Sequence, residues 1–167
     1  MNRTFVALAC AGALAAAGAV RPSAAAGHPD SSRAEVQQFV KSYVEAQNRA
    51  DATAMMEMFI RKPAASSINE GRLMHGWEAI RDAADEMAGA EGSFKLALGT
   101  MEIASLGAGN ALVVAPFTLT VGSDDGSTQI HGALTLVLEK AGGKWKIIHE
   151  HQSAQPPDED EDQQEGD

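Results

Sequence analysis

Apolar positions along this chain follow two different rhythms, and the change between them divides it into a helical half and a strand half. Val36, Phe39, Val40, Tyr43 and Val44 recur at the three-to-four residue spacing of one helix face, which predicts a helix over about 33–49. Ser32 with Glu35 three residues later reads as its capping box. Asp51 reads as the N-cap of a short second helix carrying Met55, Met56, Met58 and Phe59, with Pro63 as its stop. Residues 64–74 read as a short extended segment. Gly76 opens a third helix with Trp77, Ile80, Ala84 and Met87 along one side.

Beyond Gly92 four runs of β character follow, at about 93–104, 110–122, 127–139 and 143–153. The loops between them are short and rich in Gly, Asn and Asp, so the strands are expected to be antiparallel hairpins. Three helices followed by a meander predict an α+β domain with the helices on one sheet face. The 167 residues suffice for one such domain.

The first 26 residues change the picture of the N-terminus. Arg3, the apolar run Phe5 to Val20 and the small residues Ser23 to Ala26 read as a signal peptide over 1–26, followed by a linker over 27–32. The expected location is periplasmic or secreted, with no membrane association after signal removal. The single cysteine, Cys10, lies inside that segment, so no disulfide is expected in the mature domain. The formal net charge is -10, and Asp158, Glu159, Asp160, Glu161, Asp162, Glu165 and Asp167 crowd the far end. Such a run repels itself, and residues 155–167 read as a disordered acidic tail. An acidic chain without a basic cluster is not expected to bind nucleic acid.

Three stretches resemble the SnoaL-like domains of the nuclear transport factor 2-like superfamily, and together they span most of residues 33–153. Tyr43 to Asp51 resembles the family's helix–turn–helix opening with its Asn-x-x-Asp turn; His75 to Arg81 resembles its glycine-started third helix. Leu134 to Lys140 with Gly143 to Ser153 is similar to the closing hairpin of SnoaL-like domains and of the calmodulin-dependent kinase association domain. The resemblance implies a cone: three N-terminal helices on a curved antiparallel sheet that wraps a pocket. Its members include isomerases, dehydratases, cyclases, binding modules and oligomerisation domains, so fold does not settle function.

Ketosteroid isomerases of that superfamily place an oxyanion tyrosine where this chain has Tyr43. Their base aspartate falls near Ser67, and their second acid near Thr135 or Leu136, where no carboxylate stands. Glu70 lies three residues beyond Ser67, which in an extended strand turns it to the opposite face. On the last strand Ile148, Glu150 and Gln152 share one parity, and Trp145, Ile147, His149, His151 and Ser153 the other. The resemblance turns Gln152, and with it Glu150, into the pocket, and makes Trp145, His149 and His151 an outer, interface face. A one-residue bulge would change that parity. Candidate pocket residues are Tyr43, Phe59, Ile80, Phe117, Leu136, Ile148, Glu150 and Gln152; candidate catalytic residues are Tyr43 and Glu150. His149 and His151, with His131 on the neighbouring strand, form no tight ligand motif, so neither metal nor other cofactor is expected.

Three readings stay open at this level. One is an exported domain binding a small, mostly apolar molecule, as a homodimer through its outer sheet face. The second is an isomerase, dehydratase or cyclase using Glu150 with Tyr43. The third is an oligomerisation module without a ligand.

Overall fold

The structure is a computed structural model that describes residues 30–155 apart from 91, 124 and 125. The expected signal peptide, the first part of the expected linker and nearly all of the expected acidic tail lie outside the described residues. Among those described, no helix is long and apolar enough to cross a membrane.

Helix α1 (Asp30–Asn48) buries Val36, Val40, Tyr43, Val44, Ala46 and Gln47, the face its apolar spacing specified. It begins earlier than the capping box suggested, so Ser32 lies inside its first turn. Asp51 caps α2 (Ala52–Met58): its carboxylate accepts from Ala54 N at 2.9 Å. That helix ends well before Pro63. Phe59 is already extended and bridges Ile147 of the last strand, and Ile60 N donates to Ile147 O at 2.9 Å, so sheet pairing and not proline stops it. Gly76 precedes α3 (Trp77–Ala88), which buries Ile80 and Ala84.

Among the described residues seven strands form the sheet, where four were expected. The segment after α2 is itself a hairpin, β1 (Ser66–Asn69) with β2 (Arg72–His75). Its two-residue turn, Glu70 and Gly71, has φ of 47° and 78°, the left-handed pair that matches strand twist. Glu70 is therefore a turn residue and not the extended residue that the alternation argument assumed. The run at 93–104 divides into β3 (Ser93–Leu98) and β4 (Glu102–Gly107), because the chain crosses over Pro116 at Gly99. Both halves lie along β5 (Asn110–Ser123), β3 against its far end and β4 against its near end. The long strands β5, β6 (Gly126–Ala141) and β7 (Lys144–Ala154) follow as a meander.

The sheet order is β2-β1-β7-β6-β5-β3, with β4 also on β5. It is mixed and not wholly antiparallel: β1 runs parallel to β7, with Ser67 beside Glu150 and Asn69 beside Gln152. Short hairpin loops reveal antiparallel neighbours, but this pairing joins residues 83 positions apart and leaves no local signature.

The pairing of β6 with β7 skips one residue. Leu138 faces Ile147 and Val137 faces His149, leaving Ile148 as a bulge. Before the bulge Trp145 and Ile147 face the helices; after it Glu150 does. Leu134, Leu136, Leu138, Val113 and Phe117 complete the inner face, and α1 lies across it. The result is a cone-shaped α+β domain with its core between three helices and a curved sheet.

The Asn48 side chain closes the cone's open edge like an added strand. It donates to Leu96 O at 2.9 Å and accepts from Leu96 N at 2.7 Å, tying the end of α1 to β3. Asn48→Ala strands both backbone groups, so urea denaturation should show a loss of about 1–3 kcal/mol. A loss no larger than that of an exposed alanine substitution would show that the edge strand holds without this clamp.

Candidate functional site

Between the three helices and the inner face of the curved sheet, reached by β2, β1 and β7 on one side and by β5 and β3 on the other, lies a cavity of about 620 Å³. Its walls are mostly apolar. Met55, Met56 and Phe59 come from α2 and its end, Met74 from β2, Ile80 and Met87 from α3, and Leu96 and Leu119 from β3 and β5. Asn69, Glu70, Arg72 and Glu86 also line it, and all four are solvent-exposed, which places them at its mouth. Arg72 and Glu86 pair at 3.0 Å.

One polar cluster stands in this wall, centred on Glu150, which is only 5% exposed. Its Oε1 accepts from the Tyr43 hydroxyl at 2.9 Å and from Gln152 Nε2 at 2.8 Å, and its Oε2 accepts from Ser67 Oγ at 3.0 Å. Gln47 Nε2 donates in turn to the Tyr43 oxygen at 3.2 Å. Each residue arrives from a different part of the chain. Tyr43 and Gln47 are four apart on α1 and so stack on one helix face. Ser67 is the direct parallel neighbour of Glu150, and Gln152 is the next residue on the same face of β7.

Burial raises the Glu150 carboxyl above the ordinary carboxylate range, and the donations from Gln152, Tyr43 and Ser67 oppose that rise. Burial, then the adjacent Glu150 charge, pushes the Tyr43 hydroxyl well above its usual range, so Tyr43 is a neutral donor. The cluster holds a buried acid or carboxylate against an apolar chamber, an arrangement that can seat a polar head group or accept a proton.

Of the residues singled out from the sequence, Tyr43, Phe59, Ile80, Glu150 and Gln152 do line the cavity. Phe117 and Leu136 do not: they are buried in the packed part of the core, Phe117 lying over Gly132 of β6 and Leu136 beside Glu150 on the sheet. Ile148 does not either, because it is the bulged residue and is only half-buried. Trp145 is not on the outer face. The same bulge turns it inward, where it is 7% exposed and its indole N–H donates to Glu35 of α1 at 3.3 Å. His151 is exposed on the outer face, and half-buried His149 bonds Ser66 Oγ through Nδ1 at 2.8 Å. Burial, then His151, lowers the His149 pKa. Among the described residues no group of three or more His, Cys, Asp or Glu is placed to hold a metal.

Two members of the cluster escaped the sequence reading. Gln47 was signalled by its position four residues after Tyr43, one turn along the buried face. Ser67 was noted only as a position without a carboxylate, whereas it is a donor to one. Met55 and Met56 of α2 belong to the core and form cavity wall as well.

The raised acid makes a signed prediction. A carboxyl whose pKa is higher folded than unfolded contributes stability that is fully present below the unfolded value and is lost as pH rises through the folded value. The stability of the native protein relative to Glu150→Gln should therefore fall as pH rises from about 4 to 8, measured by urea denaturation of both. A difference that is flat or rises with pH contradicts a buried, raised carboxyl. Tyr43→Phe removes one donor from Glu150 and the partner of Gln47, and should cost about 1–3 kcal/mol in the same assay.

The model of the SnoaL-like domain matches residues 36–158 of this chain. No curated protein matches it significantly. Solved structures share the fold at low identity. A nuclear transport factor 2-like superfamily protein from Salmonella enterica is 20% identical with a TM-score of 0.69, covering 76% of this chain and 93% of its own. A dehydratase candidate of the NTF2-like family from Streptomyces avermitilis is 19% identical with a TM-score of 0.68, covering 77% and 99%. A candidate calcium/calmodulin-dependent protein kinase II association domain from Xanthomonas campestris is 20% identical with a TM-score of 0.63, covering 74% and 87%. With the family model matched from the first turns of α1 past the end of β7, this chain belongs to the SnoaL-like domain family.

Proposed function

We propose that the domain binds a small, mostly apolar molecule in the cavity between its helices and sheet. The observation that carries this reading is the cavity itself: about 620 Å³ of open space with apolar walls and one concentrated polar cluster. Chambers of this size and composition suit a compact organic molecule oriented by a few polar groups. Open space at the centre of the fold also weighs against an oligomerisation module with a collapsed pocket.

Glu150 supports a second reading, an isomerase-, dehydratase- or cyclase-type enzyme. A buried carboxyl of raised pKa bonded to a tyrosine is suited to proton transfer. The dehydratase candidate from Streptomyces avermitilis shares the fold with this chain, and fold similarity leaves the activity open. In the binding reading Glu150 orients the ligand; in the enzymatic reading it takes a proton from it. Export to the periplasm or beyond rests on the apolar N-terminal run, and a homodimer through the outer sheet face with His149 and His151 remains part of the proposal.

The binding reading is tested with the neutral fluorophore N-phenyl-1-naphthylamine. It should bind one molecule per cavity with enhanced emission. Ala83→Trp, which fills the cavity from α3, should weaken that binding about tenfold or more, because the ring displaces the probe from apolar wall. Thr120→Trp, placed on β5 at a position that does not line the cavity, should leave it unchanged. Absence of binding, or equal binding by the Ala83 variant, rejects the cavity as the site.

A further inference from the structure

We propose that the ligand of this cavity carries a protonated amine at the end of its apolar body, seated between the Glu150 carboxylate and Gln47 Oε1. The proposal rests on the reading that the cavity binds a small apolar molecule, and adds the chemistry of its head group.

Proton accounting in the cluster leads to it. Tyr43 has one hydroxyl hydrogen, and it goes to Glu150 Oε1. Its oxygen is then an acceptor, so Gln47 must present Nε2 to it. This fixes the orientation of the Gln47 amide and leaves Oε1 at its other arm. That oxygen is buried, belongs to a residue lining the cavity, and has no hydrogen-bond partner among the described residues. Buried carbonyl oxygens are seldom left unmet, because stripping them of water costs free energy that a partner restores.

The carboxylate shows the same deficit. It can accept about four hydrogen bonds. Tyr43 and Gln152 supply two at Oε1, and Ser67 supplies one at Oε2. Room for another donor remains at Oε2. All three existing donors are neutral, so no cationic side chain in the cluster offsets the buried negative charge. The other charged side chains lining the cavity are Glu70, Arg72 and Glu86, and Arg72 already pairs with Glu86 at 3.0 Å. The wall of the chamber therefore holds unmet acceptors, one of them buried until the Gln47 side chain shifts to meet a donor, and its carboxylates outnumber its cations. An ammonium group answers both: it is all donor, and it supplies the charge that the cluster lacks. A carboxylate or phosphate ligand would meet like charge at the floor and at the mouth.

The test uses the full chain and two probes of equal shape, 1-naphthylmethylamine and 1-naphthylmethanol, titrated calorimetrically at neutral pH. The amine should bind about tenfold or more tightly than the alcohol, the difference expected when a charge-assisted hydrogen bond replaces a neutral one. Glu150→Gln should bring the amine-to-alcohol affinity ratio down to about one, whatever it does to the affinity for either probe alone. Gln47→Met, which removes the unmet acceptor at similar volume, should weaken the amine more than the alcohol. Should the Glu150 variant not fold, the comparison on the native chain and on the Gln47 variant still decides. Equal affinity for the two probes overturns the amine assignment and leaves the apolar cavity reading intact. Binding of N-phenyl-1-naphthylamine with neither naphthylmethyl probe has the same meaning. Failure of all three probes rejects the cavity reading itself.

Discussion

The site depends on one skipped residue. The last strand must supply two different things to the same side of the sheet: apolar packing at its start and a carboxylate with an amide near its end. Strict alternation forbids this, since Ile147 and Glu150 are three residues apart and fall on opposite faces of a regular strand. The bulge at Ile148 reconciles them. Trp145 and Ile147 pack under α1 and α2, and Glu150 then turns inward beneath Tyr43. The outward residues after the bulge, His149 and His151, follow as a consequence.

A buried carboxyl has to be held, and the way it is held joins the fold to the site. Tyr43 brings α1, Ser67 brings the β1–β2 hairpin, and Gln152 continues β7, so the helix layer and the parallel edge of the sheet meet on one group. The parallel pairing of β1 with β7 is what sets Ser67 directly beside Glu150. None of these partners is charged. Such a cluster is a poor device for stability, because neutral donors offset only part of the cost of burying an anion. Its raised acid and Gln47, whose Oε1 is buried without a partner among the described residues, both belong to the wall of an apolar chamber. Such a cluster at a cavity wall supports the proposed role in ligand binding.

The same cone supports binding modules, enzymes and assembly domains, and the differences lie in a few side chains on common elements. By the family resemblance Ser67 stands where ketosteroid isomerases carry a base aspartate, and the buried carboxyl beside it is Glu150 of β7. The tyrosine on α1 is kept but donates to that acid.

Read alone, the sequence determined the three helices and the closing strand meander, and its family resemblance implied the cone. The buried face of α1 was written in the spacing from Val36 to Val44, the cap of α2 in Asp51, and the meander in its Gly-rich turns, because these signals act over a few residues. Tyr43, Glu150 and Gln152 were legible as pocket residues through the family resemblance and strand parity. Tertiary structure alone decided the rest. The parallel β1–β7 pair, the division of β3 from β4 across Pro116, and the bulge at Ile148 are contacts between distant segments, and nothing within either segment announces them. The bulge moved Trp145 inward and removed Ile148 from the cavity, and packing against Gly132 withdrew Phe117 into the core. A side chain's face is fixed by local periodicity only until the partner strand skips a residue, and that skip is set by what the whole core must accommodate.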